Sequence, residues 1–349
     1  MTRRHLAFWF VAGFASALFL QALQARATGG WAGLLSVGET SGLRPLIESE
    51  LGEVPLLPFG GHDGQITYAI ARQPFGGSVA DQFIDAGYRY RRILYPLLAG
   101  LGGSLKGPAL LGSLVVVAAS GVGLATAAGA KLATQLGVAR WTLLGILANP
   151  GVWLSVQLLT PDALAFGLAL TGLTLWLTHR QRWAFLALVL AVLAKDQFLL
   201  VALGLAGWEL TRGRRRAAIS LLVVPVVPLL AWGAWLGTRM AGGLSPRGNL
   251  DLPFAGIIGA VRFWADRPTR DLFFGVLALA AIGLSIWASR RTGPPLIRWL
   301  AAPWALIGIF SSTWLWDFGN NALRALAPAL FFGLLGVLPR RASVGPLTG

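Results

Sequence analysis

Long apolar runs recur along the whole chain, and charged residues are confined mostly to the breaks between them. The runs cover residues 6–25, 108–130, 141–158, 163–177, 183–194, 197–210, 217–236, 272–288, 297–314 and 322–338. A hydrocarbon core roughly 30 Å thick takes about 20 apolar residues of helix. Backbone groups at that depth must be paired internally, which leaves helices or a closed barrel. The runs are continuous rather than alternating, which selects helices. The pattern predicts an all-α polytopic membrane protein of about ten transmembrane helices, forming one membrane domain over residues 1–349.

Two stretches break the rhythm. Residues 26–107 form a large polar loop with short amphipathic pieces and an interfacial segment at 93–103, and residues 238–271 form a second long loop. The runs 183–194 and 197–210 are short for a span, so Lys195 and Asp196 between them are expected below the membrane surface. Pro225 and Pro228 in one run, and Asn149-Pro150 in another, predict kinks. The first run follows Arg3 and Arg4, and its length of about 20 residues suits an anchor better than a cleaved signal core of roughly 7–15.

Composition sharpens this. Of the 349 residues 55% are hydrophobic and only 12% charged, half of what a soluble domain carries at about 25%. The net charge of +15 does not point to nucleic acid, because the basic residues sit in short clusters between apolar runs. If the N-terminus is cytoplasmic, ten spans place both termini there. Fifteen of the 29 basic residues then fall inside, against one acid, Glu209. Every inner loop obeys the positive-inside rule. With no cysteine, disulfides and thiol chemistry are excluded. The 15 tryptophans fit residues placed at membrane interfaces.

That topology sends the polar residues to one side. Gly61-His62-Asp63-Gly64-Gln65 and Tyr88-Arg89-Tyr90-Arg91-Arg92 lie in the first loop, Thr160-Pro161-Asp162 and Lys195-Asp196-Gln197 at short outer turns, Asn249 and Asp251 in the second loop, and Trp314, Trp316, Asp317, Asn320, Asn321 and Arg324 at the last outer turn. Carboxylates at membrane depth cost on the order of 2.5–3.5 kcal/mol, so Asp162, Lys195, Asp196 and Arg324 are expected to face one another or a watered cavity. Recessed lysine and arginine suit a phosphate head group. A neighbouring carboxylate can serve as general base for a hydroxyl acceptor. The candidate donor-phosphate ligands are Lys195, Arg324, Arg89, Arg91 and Arg92, with His62, Gln65, Asp162, Asp196 and Asn320 in support. Plainer readings stand beside these: Asp63 as a turn former, Asp162 as a helix N-terminal acid, and Lys195 paired with Asp196 at a hairpin tip.

An N-terminal span, a large outer loop with an acidic motif near its start, and many short-looped spans resemble the GT-C class of polyprenol-linked glycosyltransferases. Asp63 in Gly61-His62-Asp63-Gly64 matches the position of that class's proposed catalytic base. Residues 61–73 and Tyr88-Arg89-Tyr90-Arg91-Arg92-Ile93-Leu94-Tyr95-Pro96 are similar to small bacterial members without an assigned substrate. Thr160-Pro161-Asp162 resembles the class's acidic residue at an outer helix start, Ala194-Lys195-Asp196 its Thr-Lys-Glu-like turn, and Leu323-Arg324-Ala325-Leu326-Ala327-Pro328 its late arginine–proline element. The resemblance implies transfer of a sugar from a polyprenyl-phosphate donor to a lipid or cell-envelope acceptor, outside a bacterial inner membrane, with Asp63 as base. Many members carry paired acids in the first loop where this chain has His62-Asp63, so no metal ligand is assigned and a divalent metal stays open. Two other classes are weighed. A non-catalytic lipid- or glycan-binding subunit of the same fold matches most of these features. A transporter fits less well, because its ionisable residues would gather near the midplane and no internal repeat is evident.

Overall fold

The computed structural model describes residues 1–82, 85–240, 249–266, 270–290 and 295–337. The chain is almost entirely helical. Its helices are α1 (Arg3–Ala27), α2 (Arg44–Leu51), α3 (Asp63–Arg72), α4 (Ala86–Tyr90), α5 (Leu94–Ala99), α6 (Gly107–Gln135), α7 (Leu144–Leu147), α8 (Pro150–Gln157), α9 (Asp162–Leu177), α10 (Gln181–Ala194), α11 (Leu199–Thr211), α12 (Arg215–Arg239), α13 (Ala255–Asp266), α14 (Arg270–Arg290), α15 (Pro295–Phe310), α16 (Thr313–Trp316), α17 (Gly319–Ala325) and α18 (Ala327–Val337). A two-residue parallel strand pair, β1 (Val37–Gly38) and β2 (Leu56–Leu57), and two isolated bridges, Val37 with Gly61 and Leu250 with Ser311, are the departures from an all-α fold among the described residues.

Four helices, α1, α6, α12 and α14, are long and apolar enough to cross a membrane, and the bent pair α17–α18 makes a fifth candidate. Ten full-length helices are not what the described residues contain. Helices α9, α10, α11 and α15 run 13 to 16 residues. At about 1.5 Å per residue they reach roughly 20–24 Å, short of a full hydrocarbon core. The expected kink at Asn149-Pro150 is a complete break: α7 stops at Leu147 and Asn149 caps α8, its side chain accepting from the Gly151 and Val152 amides. Pro225 and Pro228, by contrast, lie inside one continuous helix, α12. The run at 322–338 bends by 53° between α17 and α18. Helix α13 occupies the second loop, where the sequence reading placed no helix.

Packing follows small residues. Helix α1 lies along α6, and α6 along α9. A methyl group added at Gly13 would meet the Thr126 hydroxyl at 2.4 Å, and one at Gly167 the Gly121 carbonyl oxygen at 2.3 Å, so glycine sets both approaches. One apolar cluster extends from Ala17 to Leu335, with Phe166, Phe198, Trp304 and Phe331 at its centre. Trp304 and Trp316 are fully buried, so these two are core residues rather than interface anchors. On the outside of α12, Ile219, Val223, Val227 and Leu230 form one stripe of exposed aliphatic side chains, as a lipid-facing helix requires.

The first loop is folded rather than slack, and Glu50 ties it to the bundle. Its carboxylate accepts from the Tyr68 hydroxyl at 2.6 Å, Arg72 Nε at 2.7 Å and the Gly107 amide at 3.1 Å, joining α2, α3 and the start of α6. Burial raises the Glu50 carboxyl, but the Tyr68 and Arg72 hydrogen bonds outweigh it and hold the pKa below its ordinary value. A depressed carboxylate stabilises the fold fully above the unfolded value and loses that contribution as pH falls through the folded one. Glu50→Gln is therefore expected to cost about 1–3 kcal/mol at pH 7. In thermal unfolding of purified protein, the gap between wild type and variant should close below about pH 4.

Candidate functional site

Asp63 opens α3, where the helix N-terminus favours a negative charge. The loop before it is fixed by Gln65, whose amide donates to the Gly60 carbonyl at 2.6 Å while its oxygen accepts from the Gly38 amide at 3.4 Å. Gln65 is 3% exposed, so it braces the loop and does not reach a ligand. Gly61 makes the turn at φ 80°, and the His62 amide donates to the Ser36 carbonyl at 3.0 Å. The carboxylate of Asp63 is thereby aimed at two arginines. Arg89 Nη1 donates to Oδ1 at 2.8 Å, and Arg324 Nη2 donates to Oδ2 at 2.8 Å. Arg89 comes from the first loop and Arg324 from α17, 261 residues away in sequence from Asp63.

A second group adjoins it. Lys195, 6% exposed, contacts Oδ1 of Asp162, and the Thr160 hydroxyl donates to the other oxygen at 2.7 Å. Lys195 has an extended backbone (φ −156°), which turns its side chain away from that of Asp196. The expected alternative of a Lys195–Asp196 pair is therefore not formed. Asp196 instead takes Arg91 Nη2 at 2.7 Å, with Arg92 Nε at 3.9 Å. Gln197 donates to the Ala325 carbonyl at 2.9 Å, pinning this turn to α17.

Tyr88 links the loop arginines. The guanidiniums of Arg89, Arg91 and Arg92 lie 5.8, 5.3 and 4.6 Å from its ring centre, and Arg92 also donates to its hydroxyl. Asn249, from the second loop, donates to the same hydroxyl at 3.3 Å. The sequence assigns Tyr88 no role beyond its place in Tyr88-Arg89-Tyr90-Arg91-Arg92. The available signal was local density, a tyrosine followed within four residues by three arginines; the meeting of Tyr88 with Arg92 depends on the turn that follows α4.

The arrangement brings together Asp63, Arg89, Arg91, Arg92, Asp162, Lys195, Asp196 and Arg324, all named from sequence. His62 stands at its edge against Phe59, with ring centres 5.4 Å apart. Burial lowers its pKa, and the charges of Arg324 and Arg270 add to that against the opposing pull of Asp63. Arg270, which the sequence reading did not single out, thus belongs to the same field. Asn320 is buried with its oxygen accepting nothing, and it is Asn321 whose oxygen accepts from Arg324, at 3.2 Å. Asn321 thus holds Arg324, next to the expected supporting residue Asn320.

The charges do not balance. Arg89, Arg91, Arg92, Lys195 and Arg324 face Asp63, Asp85, Asp162 and Asp196, leaving one surplus positive charge. The Nε groups of Arg91, Arg92 and Arg324 are buried and make no hydrogen bond. Buried donors of this kind carry a cost unless an acceptor meets them. Burial alone raises the Asp63 carboxyl, but Arg324 and Arg89 override it and hold its pKa well below the usual carboxylate range. Among the described residues no group of three or more His, Asp and Glu stands together as a metal site. Beside this cluster, Phe75, Pro228, Ala231, Trp232 and Trp235 line an apolar groove of about 520 Å³. Trp232 ties that groove to α4 by donating to the Tyr90 carbonyl at 2.9 Å. No family model, no curated protein and no solved structure matches the chain, so the chemistry of this cluster is read from its geometry.

Proposed function

We propose that this chain is a GT-C-type glycosyltransferase of the bacterial inner membrane, moving a sugar from a polyprenyl-phosphate donor to a lipid or cell-envelope acceptor on the extracytoplasmic side. In this reading the shorter apolar helices bring the total to about ten crossings, with both termini cytoplasmic. The observation that carries it is the pairing of Asp63 with both Arg89 and Arg324 inside a cluster whose buried arginine donors exceed its acceptors. A phosphate brings several acceptor oxygens and negative charge, which answers both surpluses. The groove lined by Phe75, Trp232 and Trp235 suits the polyprenyl chain that leads to it.

The chemistry is a displacement at the anomeric carbon. An acceptor hydroxyl oxygen bonds to that carbon as its proton passes to Asp63. The bond from the carbon to the phosphate oxygen breaks, and its electron pair leaves on polyprenyl phosphate. Arg324, Arg89 and Lys195 hold that growing charge.

One observation favours a second reading. A carboxylate shared by two guanidiniums is a weak base, which suits a subunit that binds lipid phosphate without turnover. Purified full-length protein given a polyprenyl-phosphate sugar and a lipid extract separates the two. Release of polyprenyl phosphate with sugar on a new lipid supports the transferase, and donor binding without release supports the subunit. Arg324→Gln is expected to weaken polyprenyl-phosphate binding by about 10- to 100-fold, the loss of one charge-assisted contact. Unchanged affinity would remove this cluster from donor binding altogether.

A further inference from the structure

Helix α13 is apolar on two sides, and the protein covers only one of them. Gly256, Ala260 and Trp264 form its buried face. That face lies close against residues 311–316. A methyl group added at Gly256 would meet the Ser311 carbonyl oxygen at 2.1 Å, and one at Gly259 the Thr313 hydroxyl at 2.8 Å. The Trp264 indole donates to the Trp316 carbonyl at 3.0 Å. So close a fit keeps the helix from rolling to hide its other side. That side carries Ile258 and Val261, 65% and 54% exposed, with Phe254, 51% exposed, one turn before Ile258. Positions 254, 258 and 261 share one face at helical spacing. Phe254 adopts φ 65°, a region that bulky side chains avoid. Its amide donates to the Ile309 carbonyl at 2.8 Å and the Asp251 amide to the Phe310 carbonyl at 2.7 Å, so the backbone is pinned while the ring stays half exposed.

A row of large apolar side chains left outside the protein marks a surface that meets something other than water. Two neighbouring helices indicate what. Helix α14, long and apolar enough to cross a membrane, packs its Gly275 against the Trp264 ring and exposes Phe273 and Val276. Helix α15, whose last carbonyls hold the segment before α13, exposes Phe310. The row on α13 extends the apolar surface that these helices turn outward. Arg262, exposed one turn after Ile258, adds a cation whose stem can lie along that surface while its head reaches a lipid phosphate.

We propose that α13 is a membrane-surface helix, with Phe254, Ile258 and Val261 sunk about 5–10 Å into the head-group and acyl boundary of the adjoining leaflet and Arg262 at the head groups. The assignment rests on the chain being embedded in a membrane, and not on the chemistry of the ion-pair cluster. The segment so anchored carries Asn249, which donates to the Tyr88 hydroxyl at that cluster.

The chain has no cysteine, so single cysteines can be labelled with bimane in the full-length protein, reconstituted into vesicles of phosphatidylcholine and phosphatidylglycerol. The quenchers are aqueous iodide and phosphatidylcholine carrying a nitroxide either near the head or near the methyl end of its acyl chain. The label on Ile258→Cys is expected to be quenched more by the shallow nitroxide than by the deep one. Iodide should quench it several-fold less than the label on Glu39→Cys, an exposed position of the first loop. Val227→Cys, on the exposed stripe of α12, should show the opposite order of the two nitroxides. Val261→Cys repeats the measurement on the same face and replaces Ile258→Cys if that variant does not fold. Iodide quenching of Ile258→Cys equal to that of Glu39→Cys overturns the proposal, because the face would then lie in water. Protection from iodide and from both nitroxides overturns it too, because a protein surface would then cover the helix. Stronger quenching by the deep nitroxide would place α13 within the hydrocarbon core and overturn the surface assignment.

Discussion

Asp63→Asn is expected to move turnover and donor binding in opposite directions. In the proposed transferase a general base of this kind contributes roughly 10²–10⁴ in rate, so transfer should fall by that factor. The same carboxylate occupies one hydrogen bond from Arg89 and one from Arg324, each at 2.8 Å. A donor phosphate must draw those guanidiniums toward itself, and it competes with Asp63 to do so. Asparagine has nearly the same shape but no charge, so the competition weakens. Polyprenyl phosphate is expected to bind about tenfold more tightly to Asp63→Asn than to wild type, a gain of about 1.4 kcal/mol. The exchange also resolves how a carboxylate with such low proton affinity could act as a base. Once phosphate takes Arg89 and Arg324, Asp63 loses the two charges that suppress its basicity. Titration of wild type and variant with polyprenyl phosphate, beside a turnover assay, reads both effects. Weaker binding by a folded Asp63→Asn would mean that the carboxylate supports the phosphate and does not compete with it.

Much of this was legible in sequence because it depends on local patterns. Continuous apolar runs gave α1, α6, α12 and α14 nearly to their ends, since a helix in lipid must be long and apolar throughout. Breaks were harder to read. Asn149-Pro150 and Pro225/Pro228 carry similar local signals, yet only the first ends a helix, because the Asn149 side chain caps the next one and donates to the Ala327 carbonyl at 2.9 Å. That partner lies 178 residues away, beyond any local pattern. Helix α13 was hidden because its amphipathic sequence sits between masses of loop polarity rather than within an apolar run. At the site, the expense of burying charge was enough to group Asp162, Lys195, Asp196 and Arg324 before any fold was known. Which acid meets which cation was not readable. The extended backbone at Lys195 sends adjacent side chains to different partners, and the Asp63–Arg324 pair exists only because α3 and α17 converge.

The Lys195–Asp162 pair is expected to dominate the stability of this end of the bundle. Both side chains are under a tenth exposed, and the pair sits where α10, α11 and the start of α9 meet. Removing one partner leaves a buried charge without its counter-ion, at a cost of about 3–5 kcal/mol. Lys195→Met and Asp162→Asn should each reach that range in reversible unfolding from detergent. The two losses should not be equal. Asp162→Asn keeps an oxygen for the Thr160 hydroxyl, now at 2.7 Å, but leaves Lys195 facing the remaining positive field of Arg92 and Arg324. Lys195→Met leaves Asp162 with Arg324 as a neighbouring positive charge that partly compensates. Asp162→Asn is therefore the more damaging single change, and the double variant should cost less than the sum of the two by about 2–3 kcal/mol. Additive losses would show that the pair is only a neighbour contact. A strong coupling would show instead that this buried pair joins the turn at Asp162 to the turn at Lys195, whose neighbours Asp196 and Gln197 contact Arg91 and the Ala325 carbonyl, so that the ion-pair cluster and the stability of this end of the bundle share one foundation.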